Sequence, residues 1–250
     1  MRNLERLIYL EEVDSTNHFA HELVKNQYPP NGTAILARYQ SAGKGQKGNS
    51  WESAENQNLL CSLVFYPDHI EAHELFKLNQ AVALAICEYL EEVSGYNFKV
   101  KWPNDIMFEE KKIAGILIEN TIREKQCQFS IVGIGINLNQ TAFKPYSPEA
   151  ISLKSATGQE TTSISSFCIG LRDKVMHQIF NLKPDAEVLQ REYAKKLFGL
   201  NEKRWFESDG ETFEATIIGV DESGKLLMES SGNLLDFGVK GVKHLFHLNA

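Results

Sequence analysis

The sequence predicts an α+β fold in which a mixed β-sheet with flanking helices is followed by a small C-terminal β-barrel. Over most of the chain, β-branched and apolar runs typical of strands alternate with longer segments of helical periodicity. From about Asn201, short strand-like pieces alternate with turn signals such as Asp209-Gly210 and Ser231-Gly232-Asn233, which is typical of a small barrel. We therefore place a domain boundary near residue 200, with residues 1–200 in a larger domain and residues 201–250 in the barrel.

The composition indicates a folded protein and excludes several classes. Hydrophobic residues make up 42% and charged residues 24% of 250 positions, which excludes a disordered or fibrous chain. The net charge of −7 argues against unspecific binding of DNA or RNA, because phosphate contacts need a basic surface. No C-x-x-C pair occurs, and the apolar stretch Ala81–Cys87 is far shorter than the roughly 18 residues of a membrane span. We expect a reduced, cytoplasmic protein with no signal peptide and no membrane or DNA partner.

Capping residues and periodicity predict the elements of the first half. The cluster Asp14-Ser15-Thr16-Asn17 starts a helix that Pro29-Pro30 ends. Strands are predicted over residues 33–40 and 59–66. Apolar residues at helical spacing from Leu75 to Val93 predict a long amphipathic helix, which Gly95 closes.

The second half begins with strands and returns to helices. Alternation from Phe98 to Trp102 predicts a half-buried strand, which Pro103 interrupts. The polar turn at residues 109–112 indicates a hairpin, and further strands are predicted over residues 113–118 and 129–138. Apolar residues at helical spacing predict helices over residues 167–179 and 188–197.

A glycine- and lysine-rich loop, residues 41–50, follows the strand that ends at Gln40. Its Gly43-x-Gly45-x-x-Gly48 spacing matches a dinucleotide-binding fingerprint, with Asp68 at the expected distance. The segment after the loop lacks the helical period that this fingerprint requires. A plain flexible loop is the second alternative. Because Lys44 and Lys47 accompany the glycines, we favour a loop that cradles an anion with cations and backbone N–H groups.

Two further runs carry residues suited to a site. The run Lys101-Trp102-Pro103-Asn104-Asp105 places a cation, an aromatic ring, an amide and a carboxylate together. Asp105 could hold a magnesium ion and Asn104 could contact a base or a phosphate, although a strand end with a proline turn would also explain the run. The interior glycines of Gly133-Ile134-Gly135-Ile136-Asn137 indicate either that another group approaches the backbone closely or that a helix packs closely on the sheet.

Four segments, in this order and at these intervals, resemble the biotin protein ligases, the biotin–[acetyl-CoA-carboxylase] ligases. They are residues 40–51, 101–105, 111–117 and 133–137. The resemblance covers the whole chain. It implies a catalytic domain like those of class II synthetases and biotin–lipoyl ligases, followed by an SH3-like barrel. It further implies that biotin is activated with ATP, accompanied by Mg²⁺, to biotinyl-5′-AMP and passed to a lysine of the biotin carboxyl carrier protein of a biotin-dependent carboxylase.

The resemblance also implies roles for individual residues. Lys112 matches the family lysine that contacts the reacting carboxylate and the α-phosphate, and Asp105 is the second catalytic residue and a magnesium ligand. The implied biotin contacts are Ser15, Thr16, Asn17, Gln40, Lys44, Gly45, Gln46 and Gly115. The implied ATP contacts are Lys44, Gln46, Lys47, Trp51, Lys101, Asn104, Lys112 and Asn137, with Trp51 stacked on adenine.

The chain departs from the family pattern in two respects. It begins at the catalytic domain, so we expect the form without an N-terminal winged helix–turn–helix. The glycine loop, usually rich in arginine, carries Gln46 and Asn49 at matching positions, which implies weaker retention of the adenylate. Two other functions remain open: a lipoate–protein ligase, whose Arg-Arg-x-Ser-Gly-Gly-Gly run is absent, and a biotin-sensing protein without ligase activity. The sequence leaves open whether the free protein is a monomer or a weak homodimer.

Overall fold

A seven-stranded mixed sheet forms the larger part of the molecule. The computed structural model describes residues 6–67, 70–180 and 186–248, without the side chains of Lys47 and Ala186. The strands of this first sheet are β1 Leu7–Val13, β2 Ala34–Gln40, β3 Leu59–Phe65, β4 Lys99–Lys101, β5 Asp105–Phe108, β6 Lys111–Arg123 and β7 Gln126–Ile136. Their order is β1-β2-β3-β7-β6-β5-β4. Strand β1 runs parallel to β2 and all other neighbours are antiparallel, so the predicted mixed sheet is confirmed.

Helices cover both faces of the first sheet. They are α1 Thr16–Gln27, α2 Leu75–Ser94, α3 Leu153–Thr157, α4 Ile164–Phe180 and α5 Ala186–Lys196. On one face α2 and α4 both pack on the sheet and build the main core. The stretch from Ala81 to Cys87 is buried because α2 is also covered by α4 and α5. On the other face α1 packs through Ala20, Leu23 and Val24 against a smaller cluster. Gly95 ends α2 in the left-handed conformation (φ 76°), as the sequence predicts.

The residues after position 200 form a second, antiparallel sheet. Its strands are β8 Lys203–Ser208, β9 Glu211–Val220, β10 Leu226–Ser230, β11 Asn233–Phe237 and β12 Lys243–His244, in the order β11-β10-β9-β8-β12. Asp209-Gly210 and Ser231-Gly232 form its tight turns with positive φ at both positions, the geometry of type I′ hairpin turns. A small C-terminal β-structure of short strands and glycine turns is therefore confirmed.

The two sheets contact each other through a few specific side chains. Trp102 Nε1 donates a hydrogen bond of 2.9 Å to the carbonyl of Gly224. The ring of Phe76 on α2 lies against Gly224, where an added Cβ would come within 2.6 Å of it. Arg204 of β8 forms an ion pair with Glu110 in the β5–β6 turn. The second sheet is thus packed on the end of the first sheet that carries the Lys101–Asp105 run.

Some elements differ from the sequence prediction. Strand β1 was not predicted, because apolar and polar residues alternate only partly over Leu7–Val13 and the segment carries charge. Its pairing with β2 places it at the edge of the sheet, where charged side chains remain in solvent. The short helix α3 was also not predicted, since it is too short to show a period. Strand β5 is the first strand of the hairpin predicted around residues 109–112, and its antiparallel pairing with β6 confirms that hairpin. Within the described residues no helix is long and apolar enough to span a membrane.

Candidate active site

A cavity of about 590 Å³ opens between the glycine loop, the first sheet and the second sheet. Lys112 and Asp105, the predicted catalytic residues, line it. Also lining it are the predicted contact residues Ser15, Thr16, Asn17, Gln40, Lys44, Gly45, Gln46, Trp51, Lys101, Asn104, Gly115 and Asn137. The side chain of Lys47 lies outside the described part of the chain. Strands, loops and the start of α1 therefore bring the Asp14–Asn17 cluster and the four segments of the resemblance to one volume.

Helix α1 supplies polar groups to one end of the cavity rather than capping itself. Ser15 is the N-cap residue, yet its side chain makes no cap hydrogen bond. The neighbouring Thr16 donates from its backbone N–H to Gln40 Oε1 at 2.7 Å, and its hydroxyl lies 3.0 Å from the same oxygen. The predicted helix start is therefore confirmed, but these capping-type residues point to the cavity and the adjacent strand.

The interior glycines of β7 make room for two different side chains. A Cβ at Gly133 would lie 2.4 Å from Asn17 Oδ1 on α1, so this glycine allows close helix–sheet packing. A Cβ at Gly135 would lie 2.5 Å from the indole of Trp51, and one at Gly115 would lie 2.9 Å from it. The sequence left two explanations open. Helix packing applies at Gly133, and the approach of a loop side chain applies at Gly135.

Trp51 lies across this glycine floor inside the cavity. Its Nε1 is buried and has no hydrogen-bond partner among the described residues. The ammonium group of Lys112 lies 5.4 Å from the centre of its ring, a distance at which a cation and an aromatic face attract each other. The indole therefore contacts both the sheet floor and the charged part of the site.

The glycine loop is folded back on itself. Gly45 N–H donates to the carbonyl of Asn49 at 2.7 Å, and Trp51 N–H donates to the carbonyl of Gly43 at 2.9 Å. Gln46–Gly48 form a short 3-10 turn. These internal bonds occupy several of the N–H groups that an anion cradle would use, so an anion here would rely on the exposed Lys44 and on the remaining amides.

A buried carboxylate between two lysines forms the charged part of the cavity. Asp105 Oδ1 lies 2.6 Å from Lys112 Nζ, and Asp105 Oδ2 lies 3.0 Å from Lys101 Nζ. Burial would raise the pKa of Asp105, but the two ammonium groups outweigh it and hold that pKa below its usual range. Asp105 is therefore ionised at neutral pH, and the cluster keeps one net positive charge facing the cavity.

Two asparagines expected to contact the nucleotide also hold the walls in place. Asn104 Nδ2 donates to the carbonyl of Ile116 at 2.9 Å. Asn137 Nδ2 donates to the carbonyl of Ile151 at 3.2 Å. In both side chains the oxygen remains for a further contact, because these bonds use only the amide nitrogen.

Part of the lining comes from segments that no motif indicated. Phe143 and Tyr146 belong to the loop before α3, and Phe206, Val242 and His244 belong to the second sheet. Burial, together with the charges of Arg204 and Lys101, lowers the pKa of His244 to about 3, so its ring is neutral. Sequence reasoning treated the barrel as separate and had no signal that it forms a wall of the site.

Comparison with known proteins identifies the family of this chain. The model of the biotin/lipoate A/B protein ligase family matches residues 9–137. The chain belongs to this family. Its resemblance to biotin protein ligases and the predicted α+β fold are thereby confirmed.

Members of the biotin/lipoate A/B protein ligase family match most of the chain. This chain is 32% identical over 238 residues to the bifunctional ligase/repressor BirA of Bacillus subtilis, covering 91% of this chain and 70% of that protein. It is 33% identical over 156 residues to the biotin–[acetyl-CoA-carboxylase] ligase of Paracoccus denitrificans, covering 60% and 63%. The solved structure of the biotin protein ligase from Aquifex aeolicus in complex with biotin and ATP is similar with a TM-score of 0.80 and 27% identity, covering 97% of this chain and 100% of that one.

Proposed function

We propose that this family member activates biotin with ATP to biotinyl-5′-AMP and transfers the biotinyl group to a lysine of a biotin carboxyl carrier protein. The observation that carries the proposal is the cavity itself. It joins a polar end built by Thr16 and Gln40 to the cluster of Lys101, Asp105 and Lys112. A substrate with a neutral polar ring and a carboxylate can contact both ends at once. The Paracoccus denitrificans relative is named as a biotin ligase and the Aquifex aeolicus structure holds biotin and ATP, which supports the same substrate.

The first step brings two anions together. An oxygen of the biotin carboxylate attacks the α-phosphorus of ATP, the bond from that phosphorus to the β-phosphate oxygen breaks, and pyrophosphate leaves. Lys112 stabilises the negative charge that develops around the phosphorus, because its ammonium group is already fixed by Asp105. Lys101, held by the same carboxylate, supplies a second cation to the phosphates.

The second step is acyl transfer to the carrier. The neutral amine of the carrier lysine attacks the acyl carbon of the adenylate, and an amide bond forms. AMP leaves with the electron pair of the broken C–O bond, and the nitrogen loses one proton to solvent. This step needs no covalent intermediate on the enzyme. The partners of the proposed reaction are biotin, ATP and the carrier protein. The four cysteines are free and buried, which fits the proposed cytoplasmic location.

Magnesium enters the proposal with the nucleotide. Both oxygens of Asp105 are already paired with lysines, and no group of three or more His, Cys, Asp or Glu side chains gathers among the described residues. A magnesium ion at Asp105 would lie beside two ammonium groups, whose positive charges repel it. We therefore take MgATP as the form in which the nucleotide binds and assign no step to the metal.

A transfer assay tests the proposal directly. Purified protein is incubated with labelled biotin, MgATP and a biotin carboxyl carrier domain, and label on the carrier is measured by mass. A carrier with its acceptor lysine changed to arginine is the matched control. We expect label only on the lysine-bearing carrier, together with release of AMP and pyrophosphate.

The same assay separates the alternatives. Labelled lipoate with its own carrier domain replaces biotin in a parallel reaction. Transfer of lipoate but not of biotin would replace the proposal with lipoate ligation. Tight binding of biotin without pyrophosphate release would indicate a sensor without ligase activity.

A further inference from the structure

A chain of hydrogen-bonding side chains leads away from the cavity through two residues that do not line it. Ser62 on β3 is fully buried, and Glu119 lies on β6. They contact Thr16 and Asn17, which line the cavity. We call the set Gln40, Thr16, Ser62, Asn17 and Glu119 the polar relay. None of the sequence motifs includes Ser62 or Glu119 as a site residue.

The Gln40 end of the relay allows only one orientation of the amide. Thr16 N–H lies 2.7 Å from the terminal atom of Gln40, and a backbone N–H can only donate, so this atom is the oxygen Oε1. The nitrogen Nε2 therefore points away from Thr16. It has no hydrogen-bond partner among the described residues. Two N–H donors are left for a ligand at this point of the cavity wall.

The Glu119 end fixes the second amide in the same way. Asn17 Nδ2 lies 2.6 Å from Glu119 Oε2 and 3.3 Å from the carbonyl of Leu117. Both neighbours only accept hydrogen bonds, so the Asn17 nitrogen must face them. The Asn17 oxygen then faces Ser62 Oγ, which donates to it at 2.6 Å. Because Glu119 holds the Asn17 nitrogen, the atom of Asn17 that faces Ser62 is the acceptor Oδ1 and not the donor Nδ2.

The two hydroxyl groups in the middle complete the direction of the relay. Ser62 has one hydrogen, and Asn17 Oδ1 has Ser62 as its donor. The 2.7 Å contact between Ser62 Oγ and Thr16 Oγ1 is then satisfied only when the Thr16 hydroxyl donates to Ser62. Gln40 Oε1 keeps the hydrogen bond from the Thr16 backbone N–H. Asn17 Oδ1, Ser62 Oγ and Gln40 Oε1 then each have a donor, and the longest contact, 3.0 Å between Thr16 Oγ1 and Gln40 Oε1, is the one without a hydrogen. Thr16 Oγ1 is left as an acceptor toward the cavity.

We propose that Ser62 and Glu119 are positioning residues, which hold Thr16 Oγ1 as an acceptor beside Gln40 Nε2 as a donor. An adjacent acceptor and donor complement the N–H and C=O groups of a cyclic urea. This inference rests on the proposed function, since it assigns the polar ring of biotin to this end of the cavity. Neither residue touches the ligand; each acts through Asn17 and Thr16.

Steady-state kinetics of biotin-dependent pyrophosphate exchange test the relay. Ser62→Ala removes the central hydroxyl, and Glu119→Leu removes the acceptor that orients Asn17. We expect the KM for biotin to rise about five- to tenfold in each variant, the effect of losing one hydrogen bond, with the KM for ATP unchanged. Glu119→Gln keeps an acceptor oxygen and is expected to restore most of the biotin affinity.

Matched controls separate positioning from general destabilisation. Ser130 is equally buried and donates to Asn120 Oδ1 at 2.7 Å, so Ser130→Ala removes a similar hydroxyl elsewhere in the same sheet. Glu88 pairs with the amide of Gln178, so Glu88→Leu matches Glu119→Leu. We expect both controls to lower the Tm of the protein without changing the KM for biotin.

Two results would overturn the relay. One is a biotin KM in Ser62→Ala that changes no more than in Ser130→Ala, or that rises together with the KM for ATP. The other is a pair of ligand-free crystal structures of Ser62→Ala and Glu119→Leu in which Thr16, Asn17 and Gln40 keep their present positions. The crystal structures test the relay without any substrate, so their result does not depend on the proposed function. A wild-type protein that shows no biotin-dependent exchange would instead overturn the proposed function.

Discussion

Lys112 contacts both the charged cluster of the cavity and its aromatic wall. Its ammonium group is paired with a buried carboxylate and also lies over the face of Trp51. Two attractive partners restrict a side chain that would otherwise sample many rotamers, so the charge stays where the proposed reaction needs it. The run from Lys111 to Leu117 was enough to indicate this residue from sequence, because the motif itself carries it. The partners that fix it come from distant parts of the chain.

Replacing Lys112 with alanine tests its charge. We expect Lys112→Ala to slow adenylate formation by a factor on the order of 10² or more, since it removes a cation from the place where transition-state charge develops. Asp105 keeps its pairing with Lys101, so the fold should be retained. Pyrophosphate release at fixed biotin and MgATP measures the rate. Lys111→Ala, which removes the neighbouring exposed lysine, is the control, and equal rates in the two variants would remove Lys112 from the mechanism.

Trp51 can be tested by deletion and by displacement. If the indole stacks on adenine, Trp51→Ala should raise the KM for ATP by an amount equivalent to roughly 1–3 kcal/mol, the range for stacking on a base, and leave the KM for biotin nearly unchanged. Gly135→Ala should raise the same constant, because its methyl group would occupy the place of the ring. Gly238→Ala, which has open space around the added methyl, serves as the control. A biotin KM that rises while the ATP KM stays constant would assign the indole to biotin.

At the scale of elements, the loop of residues 41–50 carries the clearest departure from the family pattern. Its internal hydrogen bonds form a closed turn around Gln46, whose side chain lines the cavity. The resemblance implies arginine at this position. A hydrogen bond to a charged partner contributes roughly 1.5–3 kcal/mol and one between neutral groups roughly 0.5–1.5 kcal/mol, so glutamine should hold the adenylate more weakly.

Retention of the adenylate measures this difference. We expect Gln46→Arg to slow the loss of preformed, labelled biotinyl-5′-AMP several-fold in the absence of carrier. This is the effect of about 1 kcal/mol of additional binding free energy for the adenylate. Gln159→Arg adds the same charge on the exposed surface after α3 and is expected to change nothing. Release at one common rate from the wild type and both variants would show that the charge at residue 46 does not control retention.

Helices and strands could be predicted where the hydrophobic periodicity extended over several turns or a terminating residue marked the end. Helix α2 has both, with a sustained apolar face and Gly95 at its end, and its bounds agree closely with the prediction. Strand β1 has neither, since only its pairing with β2 identifies it. The roles of Gly133 and Gly135 could not be derived either, because their neighbours Asn17 and Trp51 are distant in sequence.

At the scale of the whole molecule, we propose that residues 1–200 and 201–250 are two modules that complete one site. The second sheet is attached through Gly224, whose carbonyl binds Trp102 and whose Cα faces Phe76. The sequence indicated the second sheet correctly from its turns. It did not indicate that Phe206 and His244 form a cavity wall, because contacts between modules leave no local pattern.

Gly224 offers a test of this attachment. Gly224→Ala should place a methyl group against Phe76 and weaken the contact between the sheets, which we expect to raise the KM for ATP and to broaden or split the thermal unfolding transition. Gly232→Ala is the matched control: its φ of 79° is close to the 88° of Gly224, but nothing lies near its added Cβ. We expect the free energy of unfolding of Gly232→Ala to fall by only about 1–2 kcal/mol, the cost of placing a residue with a side chain in the left-handed conformation. Identical unfolding curves and KM values for the two variants would contradict the prediction.

The wall that the second sheet contributes also determines how the chain could be divided. A cut near residue 200 would leave a large fragment with the motifs but an open cavity, and a small fragment holding the missing wall. Substrate would then bind tightly only where the two fragments have met again. Such a pair would act as a reporter of its own ligand, since biotin and ATP would drive its reassembly by mass action.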